Sequence, residues 1–259
     1  MLLECHRITK RFGGLTAVKD LDLSIKSGEI LGLIGPNGAG KTTAFNMISG
    51  VAGPDSGRIS LRGKEMTGAR SYQMARSGVC RTFQNPRLFG RLSVLDNVMV
   101  AAHAEGGGLW SRIRGVVAFD AETRERARAS LAFVGLEHRE QDQAADLPYG
   151  HLRKLELARA LAGNPALILL DEPVAGMNPT EIGEFMTLVR RVIDRGISVL
   201  LIEHHMQMVM GVCERVIVLN FGEKLAEGTP AEVGADPGVI AAYLGEGYLE
   251  TAQAAGGKA

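Results

Sequence analysis

Nine consecutive residues, Gly35 to Thr43 (GPNGAGKTT), carry the types and the spacing that phosphate binding asks for. Gly35, Gly40, Lys41 and Thr42 stand at the fixed positions of the pattern G-x-x-x-x-G-K-[ST], with Pro36, Asn37, Gly38 and Ala39 between them and Thr43 following. Such a loop turns successive backbone N–H groups into one concavity, and a helix starting there adds roughly half a positive charge. Lys41 supplies a full charge for the outer phosphates, and the Thr42 hydroxyl suits a Mg2+ ion. A second candidate is the pair Asp171 and Glu172, which closes the run LILLDE at 167–172. An apolar strand carries the Asp171 carboxylate to its C-terminal end, the edge where open parallel sheets bind ligands. Asp171 is placed to hold Mg2+ through water, and Glu172 to polarise a water that attacks the γ-phosphate. By themselves a glycine-rich turn and a strand ending in DE are common and inert; their coupling in one chain favours chemistry.

Elements with the right periodicity surround both segments. The apolar run Ile30 to Ile34 suits a buried strand, and TTAFNMISG suits a helix that ends near Gly50. Upstream, LLECHRI, LDLSI and GRISL alternate as short strands. From Ser93 the pattern turns helical: SVLDNVMVAAH has a Ser cap and helical apolar spacing. EGGGLWSRIRG then reads as a loop or insertion, and AETRERARASLAFVGL as an amphipathic helix ending at Gly135. HLRKLELARALAG predicts a further helix, ALILL a buried strand, 180–195 a helix, SVLLIE a strand, and RVIVLN with EKLAEG a strand pair. The order is β-rich, then helical, then α/β, with no internal repeat. It predicts one nucleotide-binding core with a helical insertion, followed by a disordered tail, TAQAAGGKA.

The bulk composition excludes several classes. Of 259 residues 46% are hydrophobic and 22% charged, an ordinary globular balance. Twenty-nine Lys and Arg against 29 Asp and Glu give zero formal charge, so bulk electrostatics offers no support for nucleic-acid binding. No apolar run approaches the ~20 residues of a spanning helix, and MLLECHRITKRF lacks a signal-peptide core. Cys5, Cys80 and Cys213 lie far apart and match no zinc spacing, which predicts reduced thiols. The adjacent His204 and His205 point apart on a helix or strand, so they do not share a metal.

Over nearly its whole length the chain resembles the ATP-binding subunits of ABC transporters. Gly35 to Thr43 is similar to Walker A, and Leu167 to Asp171 to Walker B with Glu172 as catalytic glutamate. RTFQ ends in the Q-loop glutamine, Gln84; AGMNP at 175–179 is similar to the D-loop; IEHHM contains the switch histidine, His204. The resemblance implies an α/β P-loop NTPase of the ABC ATPase type, with a mixed sheet core, an antiparallel β subdomain and a helical subdomain. It implies one domain over 1–250, with core segments 1–84 and 162–250, a helical subdomain at 85–161, and a flexible tail at 251–259. Lys41, Glu172 and His204 are the implied catalytic groups. Phe12 is placed to stack on adenine, and Thr42, Gln84 and Asp171 to hold Mg2+. LPYGH occupies the signature position, usually LSGGQ, which in this family faces the ATP of the opposite subunit. Here Pro148 removes a hydroxyl, Tyr149 replaces a glycine, Gly150 is kept and His151 replaces glutamine. The backbone and helix dipole then carry more of the contact in trans. His151 would make turnover pH-dependent between about 5.5 and 7.5.

FGGLTAV, RTFQNPRLF, the insertion between Asn97 and Ala127, LPYG, LLIEHHMQMVM and AAYLGE are most similar to subunits that drive branched-chain (hydrophobic) amino acid uptake. The resemblance implies ATP and Mg2+ as ligands. It also implies a second ATPase subunit, identical or not, two membrane-spanning permease subunits and, indirectly, a periplasmic binding protein, with no nucleic-acid partner. The expected place is the cytoplasmic face of the inner membrane. Urea or amide uptake, lipid or lipopolysaccharide export, and a weakly hydrolysing regulatory subunit are the alternatives. Long coiled-coil insertions or tandem ATPase halves, typical of ABC proteins acting on DNA or ribosomes, are absent from the sequence. Leu88 and Phe89, just after Gln84, are read with equal weight as a contact for a membrane subunit or as packing.

Overall fold

The computed structural model describes residues 1–82, 87–106 and 121–244, and falls into two compact units. The first comprises residues 1–74 and those from 198 on, the second residues 75–197.

In the first unit β1 (Leu3–Phe12) and β2 (Leu15–Ile25) form an antiparallel hairpin, with Leu3 opposite Ile25 and Phe12 opposite Leu15. Gly13, at φ 58, makes the tight reversal that a side chain would resist. β4 (Ser56–Leu61) pairs antiparallel to β1, and β5 (Lys64–Glu65) extends that sheet, in the order β2-β1-β4-β5. Leu3 and Cys5 of β1 are buried while Glu4 and His6 face out, the period of a half-buried sheet, and a register shift at the left-handed Arg7 brings Ile8 back to the buried side. β3 (Ile30–Ile34) and β8 (Ser198–Ile202) are buried at every residue, as central parallel strands must be. β9 (Arg215–Asn220) lies parallel on the other side of β3, and β10 (Glu223–Gly228) pairs antiparallel to β9. Within this mixed sheet β3 runs into the phosphate loop, and α1 (Lys41–Ile48) leaves from it, burying Ala44, Phe45, Met47 and Ile48. After β8 come α7 (Met206–Val212), α8 (Pro230–Ala235) and α9 (Pro237–Leu244).

The second unit pairs β6 (Val79–Arg81) in parallel with β7 (Leu167–Asp171). The helix α2 (Ser71–Arg76) leads into β6. Three helices pack on one another: α3 (Val94–Gly106), α4 (Ala121–Val134) and α5 (Tyr149–Ala162). The expected Ser93 cap is present: its Oγ accepts from the Asp96 N–H at 3.0 Å. α4 ends before Gly135, at φ 77, as the sequence predicts. α6 (Pro179–Asp194) buries Ile182, Phe185, Leu188, Val189 and Val192 along one stripe. Its start is a capping box, with Asn178 and Glu181 each accepting the other's backbone N–H.

Several boundaries differ from expectation: β1 runs on to Phe12 and β2 starts at Leu15, both longer than the runs LLECHRI and LDLSI. α3 continues through Gly106, into the glycines read as a loop, because its helical hydrogen bonding is already propagating there. α5 begins at Tyr149, two residues before the run HLRKLELARALAG, with Pro148 at φ −55 as its N-cap. The rest of the predicted insertion and the tail at 251–259 lie outside the described residues. Among the described residues no helix is long and apolar enough to cross a membrane.

Candidate functional site

In the first unit the phosphate loop is shaped by backbone that only glycine tolerates. A Cβ on Gly35 would lie 2.1 Å from the Leu219 carbonyl oxygen, and one on Gly40, at φ 100, would lie 2.4 Å from that of Ala17. Gly40 is the N-cap of α1, which has no side-chain cap and no acidic residue in its first turn. A helix end left in this condition suits an anion. Asn37 and Gly38 are exposed, while Gly35 and Ala39 are buried and anchor the loop to the sheet. The Gly222 N–H donates to the Ala39 oxygen at 3.1 Å. The Lys41 Nζ folds back along the loop and donates to the Gly35 and Pro36 oxygens at 2.7 and 2.9 Å. Thr42 is exposed beside it and Thr43 half-buried. This cradle of glycine backbone, one lysine and an uncapped helix end fits a chain of phosphates.

Three further groups belong to the same unit. Phe12 ends β1 with its ring 53% exposed, open enough to stack on a base, and the Lys10 Nζ lies 5.7 Å from its centroid. His204 follows β8 with an exposed side chain. The backbone N–H groups of His204 and His205 both donate to the Glu203 Oε2 at 2.9 Å, and Glu203 is buried. Glu203 therefore sets the turn that presents His204. Sequence reasoning passed over it, although a carboxylate between an apolar strand and two histidines was the signal. Tyr243 of α9 is the other group it missed. Its hydroxyl meets the backbone N–H of Gly35, and burial pushes the phenol above its ordinary value. Tyr243 also lines an apolar cavity of about 360 Å³ with Ile34, Met206 and Met210.

In the second unit Asp171 ends β7 and is nearly buried, with the Arg81 Nη2 2.8 Å from its Oδ2. Glu172 follows at φ 47, a left-handed conformation that few side chains adopt, so its direction departs sharply from the strand's. Of the signature residues, Pro148 and Tyr149 are exposed, His151 half-buried and Gly150 buried. The Tyr149 hydroxyl accepts from the Arg153 Nη2 at 2.7 Å, and the guanidinium carbon lies 5.2 Å from the ring centroid. A Cβ on Gly176 would come within 3.3 Å of that ring, so the tyrosine packs where the D-loop segment offers no side chain. A Cβ on Gly150 would lie 2.6 Å from the Glu181 Oε1, which the capping box holds in place.

His151 lies among cations. Its Nδ1 lies 3.2 Å from the Arg139 Nη1, and since a guanidinium only donates, Nδ1 accepts. Burial, then the charges of Lys154, Arg139 and His138, lower its pKa from 6.5, against a smaller opposing pull from Glu181. Its titration is thus displaced toward acid relative to an ordinary histidine. Phe89 is 50% exposed and Leu88 half-buried. The fully buried Asn97 grips the backbone of Phe89 at both ends: the Phe89 N–H donates to Oδ1 at 2.8 Å and Nδ2 donates to the Phe89 oxygen at 3.0 Å. Gln84 lies outside the described residues. Cys5 and Cys213 are free thiols that burial pushes up to about 12, which makes them unreactive.

Comparison with known proteins adds to this geometry. The family model described as ABC transporter matches residues 18–175, and that described as branched-chain amino acid ATP-binding cassette transporter matches residues 223–248. The chain is 44% identical, over 95% of its length and 98% of the relative's, to the high-affinity branched-chain amino acid transport ATP-binding protein LivG of Salmonella typhimurium. The ADP conformation of MJ1267, an ATP-binding cassette of an ABC transporter, is similar in structure with a TM-score of 0.85 and 30% identity, over 94% of this chain and 98% of that one. The dimeric post-hydrolysis state of the cassette MJ0796, bound to ADP and Pi, has a TM-score of 0.76 and 26% identity, over 88% of this chain and 99% of that one.

Proposed function

We propose that this chain, which belongs to the ABC transporter family, is the ATP-hydrolysing subunit of an importer for branched-chain or other hydrophobic amino acids. One observation carries the chemistry: a loop whose Gly35 and Gly40 sit where a Cβ would strike backbone leads into an uncapped helix that begins with Lys41. The match at 223–248 and the likeness to LivG support the choice of cargo class. Residues 1–250 then act as one ATPase domain with core segments 1–84 and 162–250 and a helical subdomain at 85–161.

In this reading the backbone of Gly35 to Thr43 and the Lys41 ammonium bind and orient the phosphates, while Phe12 stacks on adenine. Stacking tolerates any base, so Phe12 contributes affinity more than selectivity. Glu172 orients and polarises the attacking water, and His204 donates to a phosphate oxygen. Thr42, Asp171 and Gln84 would hold Mg2+, which would supply positive charge to offset that of the phosphates. Phosphoryl transfer needs positioning and charge, not a covalent intermediate. The segment Pro148 to His151 serves a second ATPase subunit, through the backbone of α5. ATP joins two such subunits, and loss of the γ-phosphate lets them part. Two permease subunits receive that motion, with Phe89 as a contact, at the cytoplasmic face of the membrane.

Reconstitution with membrane subunits and a substrate-binding protein of the same transporter class tests the proposal. ATP hydrolysis in vesicles should rise when leucine, isoleucine or valine is supplied. Stimulation by urea or short amides alone would reassign the cargo, and hydrolysis that stays weak with all of them would make the chain a regulatory subunit.

A further inference from the structure

We infer that Arg81 is a stand-in cation for the Asp171 carboxylate, holding it until magnesium arrives with nucleotide and keeping it from collecting free divalent ions. The inference rests on the reading of Asp171 as a magnesium ligand. Arg81 is the last residue of β6 and Asp171 the last of β7, neighbouring parallel strands in which Arg81 lies opposite Leu169. The ladder continues past Arg81, with the Thr82 N–H donating to the Leu169 oxygen at 3.0 Å. Arg81 is thus positioned by the sheet. Its Nη2 lies 2.8 Å from the Asp171 Oδ2, and each side chain is only 11% exposed.

A charge-assisted bond at this burial is poorly screened and directional. A doubly charged ion next to Asp171 would sit a few ångströms from the guanidinium, and that repulsion opposes its binding alone. The phosphates of a nucleotide bring compensating negative charge, so the ion is accepted as part of the complex. Arg81 is a positioning residue here: it acts through Asp171. A purely structural ion pair would make the opposite prediction, that its loss lowers stability and leaves ion affinity unchanged.

Mn2+ serves as the probe, its binding to the full chain followed by electron paramagnetic resonance with and without the non-hydrolysable analogue AMP-PNP. Without nucleotide, Arg81→Gln should bind Mn2+ about tenfold more tightly than the wild type, and Arg81→Lys, which keeps the charge, within about twofold of it. AMP-PNP should raise Mn2+ affinity less in Arg81→Gln than in the wild type. Equal affinities of Arg81→Gln and wild type, or equal tightening in both variants, would overturn the inference. Should Arg81→Gln not fold, the wild type decides by NMR of the arginine side-chain N–H groups. The Arg81 signals should shift when Mg2+ is added to the AMP-PNP complex, and a signal that stays put overturns the inference. Asp171→Asn separates the two levels. If it leaves Mn2+ affinity of the AMP-PNP complex unchanged, the ligand assignment fails; if it weakens that affinity and Arg81→Gln has no effect, only the role of Arg81 falls.

Discussion

Lys41 and His151 show how differently two polar residues are committed by their surroundings. Lys41 is at the start of a helix with no other cap, and its ammonium already engages two loop carbonyl oxygens. Lys41→Ala should therefore weaken ATP binding by about 2 kcal/mol or more, the scale of a charge-assisted contact, in calorimetric titration. Unchanged affinity would separate the loop from phosphate. His151 sits where burial and neighbouring cations favour its neutral form. Its folded pKa lies below the unfolded value, so the unfolded chain takes up the proton first as pH falls. The neutral histidine costs nothing above about 6.5, and stability declines as pH drops from there toward the lowered folded value. His151→Gln should flatten that decline, measured as the urea midpoint at about pH 5.5 against about 7.5. An equal loss in both proteins would place the acid sensitivity elsewhere.

At the scale of elements, the helix ends do much of the positioning. The Asn178–Glu181 box starts α6 and also sets the carboxylate that excludes a Cβ from Gly150. Asn178→Ala should cost about 1 kcal/mol, a fall of roughly 2–4 °C in Tm for a domain of this size. It should also slow ATP turnover by loosening the contact at Gly150, and an unaltered rate with lowered Tm would make the box structural only. Gly150→Asp would bring a second carboxylate against Glu181 and disturb the fold as well as the signature. Asn97 is fully buried and closes both ends of the Phe89 peptide segment. Its replacement by alanine leaves those groups unsatisfied, at about 1–3 kcal/mol in chemical denaturation. The exposed Phe89 ring is a separate matter: Phe89→Ala should leave Tm in place and uncouple ATP hydrolysis from uptake in vesicles, and transport that stays coupled would remove it as a contact.

For the whole molecule, the central expectation is a nucleotide-dependent pair of subunits. Glu172→Gln should keep ATP affinity, lose turnover by about a hundredfold or more, and accumulate as a dimer in ATP during size-exclusion chromatography. A monomeric elution in ATP, or brisk turnover, would contradict the assigned role. The left-handed backbone at Glu172 bears on this, because strain of order 1–3 kcal/mol persists only where the surrounding fold imposes it.

The sequence by itself determined the chemistry of the phosphate loop and the order of the elements. Glycine spacing, apolar runs and helix caps act over a few residues, and β3, α1, the Ser93 cap and the end at Gly135 were all legible for that reason. Its motif order also showed the family. What it left open depends on contacts between residues far apart in the chain. Arg81 meets Asp171 across 90 residues, Tyr149 packs against Gly176, and Tyr243 near the end of the described chain meets Gly35. Arg81 and Asp171 carry no local signal for one another, since an arginine in RTFQ reads as a surface charge until β6 is laid beside β7. The acid shift of His151 has the same origin: the side chain's type is written in the chain, but the charges and burial that tune it are assembled only by tertiary packing.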